Sequence, residues 1–152
     1  MSVERLCAGP ALPLLYAFMK EKYPDLETVL EKDTDRGKAK PFDEIVAKDI
    51  VGAAMTLDDP LCMKVVEKFA ENYGTECGNL ALKTLPYGGI YLTSGVTNGI
   101  QKYLMQKDNA FMRGFKDKGR LVDFMGEFQI LLVDPSIEIG LLGAEEKARR
   151  EM

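Results

Sequence analysis

The sequence predicts an α/β fold that is predominantly helical, with two parallel strands and one long helix. Three observations carry this. Apolar residues recur at helical intervals through most of the chain, whereas Ile90 to Thr93 and Gln129 to Val133 are short apolar runs bounded by turn residues. Everything between those two runs has a helical pattern, and a strand, helical crossover, strand order implies a right-handed parallel pair. At 152 residues and 46% hydrophobic, the chain is one domain by length, or a piece of one, and has the material for a real core.

The first helix is expected at Ala11 to Glu21. Gly9-Pro10 opens it, Leu14, Leu15, Phe18 and Met19 form its apolar side, and it stops before Pro24. Glu31 to Pro41 is charged and contains Gly37, which predicts an exposed connection. Phe42 to Met55 repeats Ile45, Val46, Ile50 and Val51 at helical spacing. After Asp58-Asp59-Pro60, where an aspartate can cap and a proline can occupy the first turn, the longest helix should run from Leu61 to Thr84. Its second half, Gly74 to Ala81, is rich in small residues, which costs helix propensity but admits a second backbone at close range. Asn98 to Gln106, Ala110 to Lys116 and Leu121 to Met125 are helical in pattern, and the long helix is expected to pack across the two strands. Two strands alone make a poor sheet of this type, so the chain reads as part of a larger α/β domain.

Composition removes many functions. The net charge of −4 is spread over interspersed residues, so no basic face exists for a nucleic acid. Cys7, Cys62 and Cys77 are odd in number and lack C-x-x-C spacing, and no leader-like run precedes the first helix, which points to reduced thiols and a cytoplasmic protein. No apolar run approaches the roughly 18 to 20 residues of a membrane helix. The sequence holds no histidine, which excludes Ser-His-Asp triads, Cys-His pairs and histidine-ligated zinc. Gly37-Lys38 is a poor phosphate loop, with Lys32 where glycine is needed and Ala39 in place of Ser or Thr. Asp33, Asp35 and Glu44 fall at three calcium-loop positions, but Lys38 stands where the loop needs glycine, so a solvated charged loop is the better reading. Glu76 is expected to be a surface carboxylate. No catalytic or metal-binding residue is assigned.

The stretch GGIYLTSGV is different, because a strand that breaks into a helix at a Ser-Gly turn offers backbone N–H groups with little side chain in the way. Taken alone, such a stretch is more often an ordinary strand-to-helix turn.

Five blocks read together are more specific: VERLCAGPAL at 3 to 12, CGNLAL at 77 to 82, GGIYLTSGV at 88 to 96, FKDKGR at 115 to 120 and GLLGA at 140 to 144. In order and spacing they resemble the C-terminal part of bacterial-type glucokinases, which share the ribonuclease H-like, actin-like ATPase fold. The resemblance implies that residues 1–152 are the C-terminal part of the large domain, with the small domain and the sugar-binding and catalytic segments absent. It implies an ATP-dependent kinase of glucose in glycolysis, with ATP and magnesium in the intact enzyme and the chain inactive alone. Thr93, Ser94, Gly95 and Val96 then match the family's adenosine turn, and Gly140 to Ala144 open a small-residue helix at the domain hinge. Ser94 replaces the first glycine of that turn, which requires a φ that a side chain tolerates. Alternatives are a non-catalytic remnant that binds a nucleotide or partner, and a helical interaction module. A homo-oligomer through an exposed strand edge is a further expectation.

Overall fold

The computed structural model describes residues 2–33 and 38–151. Asp35 and Gly37 of the phosphate-loop and calcium-loop comparisons lie outside them. In chain order the elements are α1 (Glu4–Cys7), α2 (Ala11–Lys22), α3 (Ala47–Leu57), α4 (Pro60–Thr84), β1 (Ile90–Leu92), α5 (Gly95–Gly99), α6 (Gln101–Leu104), α7 (Ala110–Lys116), α8 (Val122–Met125), β2 (Ile130–Leu132) and α9 (Ile139–Glu151). Short 3-10 turns occupy Val29–Glu31, Phe42–Glu44 and Gly119–Leu121. The strands pair in parallel, Ile90 with Ile130, Tyr91 with Leu131 and Leu92 with Leu132, as the crossover pattern predicts.

The 25-residue helix α4 is the spine, about 37 Å long at 1.5 Å per residue. Pro60 opens it, where a missing N–H costs nothing, and Asp59 caps it by accepting from Cys62 N at 2.8 Å. Leu85, in the left-handed region at φ 48°, closes it with its N–H on Ala81 O. The buried face of α4 includes Leu61, Val65, Val66, Phe69 and Ala70 and meets α1, α2 and α3. The other oxygen of Asp59 accepts from Val29 N at 2.7 Å, which ties the connection after α2 to the start of α4. Asp59 is almost fully buried, and both its oxygens are satisfied.

Several expectations need correction. The long helix does not lie across the strands: its principal neighbour is α7. The cause is the row of small residues. A Cβ on Gly74 would sit 1.9 Å from Phe111 O, one on Gly78 2.5 Å from Phe115 O, and one on Gly114 2.3 Å from Glu71 O. The two helix backbones are in direct contact, as the composition of 74 to 81 implied, but the approaching backbone is that of α7.

Second, α2 buries Ala11, Leu12, Leu15, Tyr16 and Met19, while Leu14 and Phe18 are 55% and 52% exposed. The buried stripe is rotated because Tyr16 turns inward to donate to Glu31 Oε1 at 2.8 Å, and Lys20 pairs with the same carboxylate. The start of the connection at Glu31 is therefore part-buried and pinned, whereas Lys38 to Pro41 are exposed as expected.

Third, the helix expected from Phe42 begins only at Ala47. Ile45 is extended and buried, and Asp49 reaches back to accept from Val46 N at 3.1 Å, fixing the start there. The segment expected at 98 to 106 is likewise two short helices, α5 and α6, broken at the fully buried Ile100.

Candidate functional site: an apolar cavity at the strand-to-helix turn

After β1, the chain passes Thr93 and enters α5 at Ser94. Ser94 is extended (φ −177°, ψ 164°), a conformation any residue adopts, so serine fits in place of the glycine. Its Oγ accepts from Thr97 N at 3.0 Å and lies 2.8 Å from Thr97 Oγ1, so the hydroxyl caps the helix. Thr97 is buried beneath it.

Ser94, Gly95 and Val96 line part of a cavity of about 720 Å³, within the range of small-molecule sites. Thr93 is exposed and lies outside the lining, so three of the four residues predicted for the adenosine turn come together. Cys7, Ala8 and Gly9, at the break between α1 and α2, line the cavity as well. Ala47, Lys48 and Val51 of α3 supply another side, and Phe69 and Tyr73 of α4 the back. A Cβ on Gly95 would meet nothing within 4 Å, so the position is open to the cavity. Gly9 is closer set, with Val96 Cγ2 at 3.5 Å from where its Cβ would lie.

The walls are mainly apolar. Tyr73 is held edge-on to Phe111 with ring centroids 5.3 Å apart, and Phe69 lies 6.0 Å from it on the same helix. Burial raises the Tyr73 hydroxyl above its ordinary pKa, so it stays a neutral donor near pH 7. The Cys7 thiol, which donates to Asn72 O at 3.5 Å, is pushed up by burial and then by the Glu76 carboxylate. Glu76 is partly buried and accepts from Asn79 Nδ2 at 3.1 Å. Among the described residues Lys48 is the one charged residue in the lining. No carboxylate stands there, so the lining does not fit a magnesium ion, and among the described residues no group of three or more His, Cys, Asp or Glu is placed to hold a metal.

Sequence reasoning found the turn but gave no site role to Cys7–Gly9, Val51, Phe69 or Tyr73. One signal for the first was present: Ala8-Gly9-Pro10, a run of small residues at a helix break inside a recognised block. The other two strong blocks serve the helix seam. Gly78 of CGNLAL admits α7, and Lys118 of FKDKGR donates to Thr75 O at 3.1 Å and Gly114 O at 3.3 Å.

The chain is a mostly helical α/β unit with a parallel strand pair and an open cavity where a strand turns into a helix. The glucokinase family model matches residues 1–151, and the chain belongs to the glucokinase family. It is 34% identical over 149 residues to a glucokinase of Synechocystis, covering 95% of this chain and 41% of that protein. It is 31% identical to one of Nostoc punctiforme, covering 99% and 45%, and 27% identical to one of Yersinia pestis, covering 100% and 42%. The chain thus spans less than half the length of these curated relatives. In fold it is similar to the crystal structure of a glucokinase from an Antarctic psychrotroph, with a TM-score of 0.67 at 23% identity over 90% of this chain and 37% of that one.

Proposed function

We propose that the chain forms the adenosine side of an ATP-dependent glucokinase that makes glucose 6-phosphate in the cytoplasm. One observation carries the reading. Two family-like blocks far apart in sequence, CAG at 7 to 9 and SGV at 94 to 96, line the same cavity of about 720 Å³ and touch, with Val96 Cγ2 at 3.5 Å from where a Gly9 Cβ would lie. Such an apolar slot suits a purine. Val51 and Val96 flank the base, Tyr73 and Phe69 back it, and Gly95 lets it approach the main chain. The part of Ser94 available to the ligand is its backbone, since its hydroxyl is engaged with Thr97.

Phosphoryl transfer works by positioning the nucleophile and neutralising charge on the phosphates. In this reading the base for the sugar hydroxyl, the magnesium site and the first phosphate loop are supplied by other parts of the glucokinase. The chain corresponds to the C-terminal part of the large domain, and α9 lies at the hinge. Such a chain binds nucleotide weakly and does not turn it over. Its strand pair, which has two unpaired edges, is completed by the rest of the sheet or by a second copy.

Two assays test the proposal. Purified chain given glucose, ATP and magnesium should yield no glucose 6-phosphate in a coupled assay; turnover abolished by a point change in this chain would overturn the division of labour. In an intact glucokinase carrying this segment, Gly95→Val should raise the KM for ATP and leave that for glucose nearly unchanged. An unchanged ATP KM would reduce the turn to a connection.

A further inference from the structure

Lys48 is an exposed lysine in the lining of the cavity. It lies in the first turn of α3, where the positive end of the helix macrodipole disfavours a cation. The neighbouring carboxylate of Asp49 is hydrogen-bonded by Lys40 Nζ at 2.7 Å and Val46 N at 3.1 Å, and the Lys48 charge adds only the smallest of the pulls on it. Among the described residues Lys48 enters no ion pair, and no other charged residue lines the cavity. Its charge and the helix terminus together make that mouth of an otherwise apolar cavity electropositive.

We propose that Lys48 is the residue of this chain that binds the anionic part of the nucleotide, contacting its phosphate chain while the adenosine rests against Ser94–Val96. The assignment rests on the nucleotide-side reading above. The ammonium is exposed and carried on a flexible stem, so it reaches a phosphate leaving the cavity without any change in the fold. Removal of the charge costs affinity for phosphorylated nucleotides selectively, because the nucleoside makes its contacts on the apolar walls.

The test compares adenosine, ADP and ATP, each without magnesium, titrated by NMR against the unchanged chain, Lys48→Gln and Lys48→Arg at two salt concentrations. Lys48→Gln should weaken ATP and ADP about tenfold, the scale of one charge-assisted contact, and leave adenosine unchanged. Lys48→Arg should retain most of the affinity, and the salt dependence of ATP binding should flatten in Lys48→Gln. Equal losses for adenosine and ATP, or no loss for either, would overturn the role of Lys48 while leaving the nucleotide site standing. Failure of the unchanged chain to bind any of the three would overturn both.

Discussion

Glycine does opposite work in two regions of this molecule. Along the seam between α4 and α7, Gly74, Gly78 and Gly114 are small because a neighbouring backbone fills the space: a Cβ would come within 1.9 to 2.5 Å of a carbonyl oxygen. At the cavity, Gly95 is small with nothing in front of it for 4 Å. Room taken by another helix is packing, whereas the open space at Gly95 matters because that residue also lines the cavity. Both regions carry family-like blocks, so resemblance alone does not say which block is the site.

The two kinds of glycine should respond differently to substitution. Gly74→Ala should destabilise the fold by about 3 kcal/mol or more, since the clash is with main chain that cannot swing aside. Urea unfolding would measure it, and a midpoint unchanged from wild type would dissolve the distinction. Asp59→Ala should cost about 2 kcal/mol, because it removes the cap of α4 and leaves the Val29 N–H without its partner. That effect belongs to the packed half of the molecule and should leave adenosine affinity per folded molecule unaltered. Gly95→Val should shift stability by no more than about 1 kcal/mol. Its effect should instead appear in nucleotide titrations as a severalfold loss.

The cysteines give a milder comparison. Cys77, on α4, is buried and its thiol is pushed up to about 12 by burial, then by Cys7 and Glu76. Cys7, on the cavity wall, is raised by burial and Glu76 but is partly exposed. At pH 8 both are overwhelmingly protonated and slow to alkylate. Mass spectrometry of the native protein should show Cys7 modified before Cys77, and adenosine should slow Cys7 alone. Equal rates would place the two thiols in like environments.

Much of the frame was legible in the sequence. The parallel strands, the Asp59-Pro60 start of α4, the whole of α7 and the close backbone approach along Gly74 to Ala81 follow from local signals of turn chemistry and periodicity. What escaped was set by tertiary contacts. The spacing of Leu14, Leu15, Phe18 and Met19 fits a helical face, but the pull of Glu31 on Tyr16 and Lys20 rotates that face, and no pattern within α2 reveals it. The partner of α4 was undetermined for a similar reason: small residues announce a close neighbour without naming it. At the site, the turn at Ser94–Val96 carries its own signature, whereas Lys48 and Tyr73 are ordinary helix residues until the fold sets them on one cavity.

The most direct measurement is a proton–nitrogen NMR titration of the purified chain with adenosine at concentrations up to roughly millimolar, where a weak site is populated. Shifts confined to Cys7–Gly9, Lys48, Tyr73 and Ser94–Val96, with Phe111–Lys118 still, are the expected result. Shifts centred on the α4–α7 seam, or none at saturating ligand, would contradict the assignment of the cavity to the nucleotide.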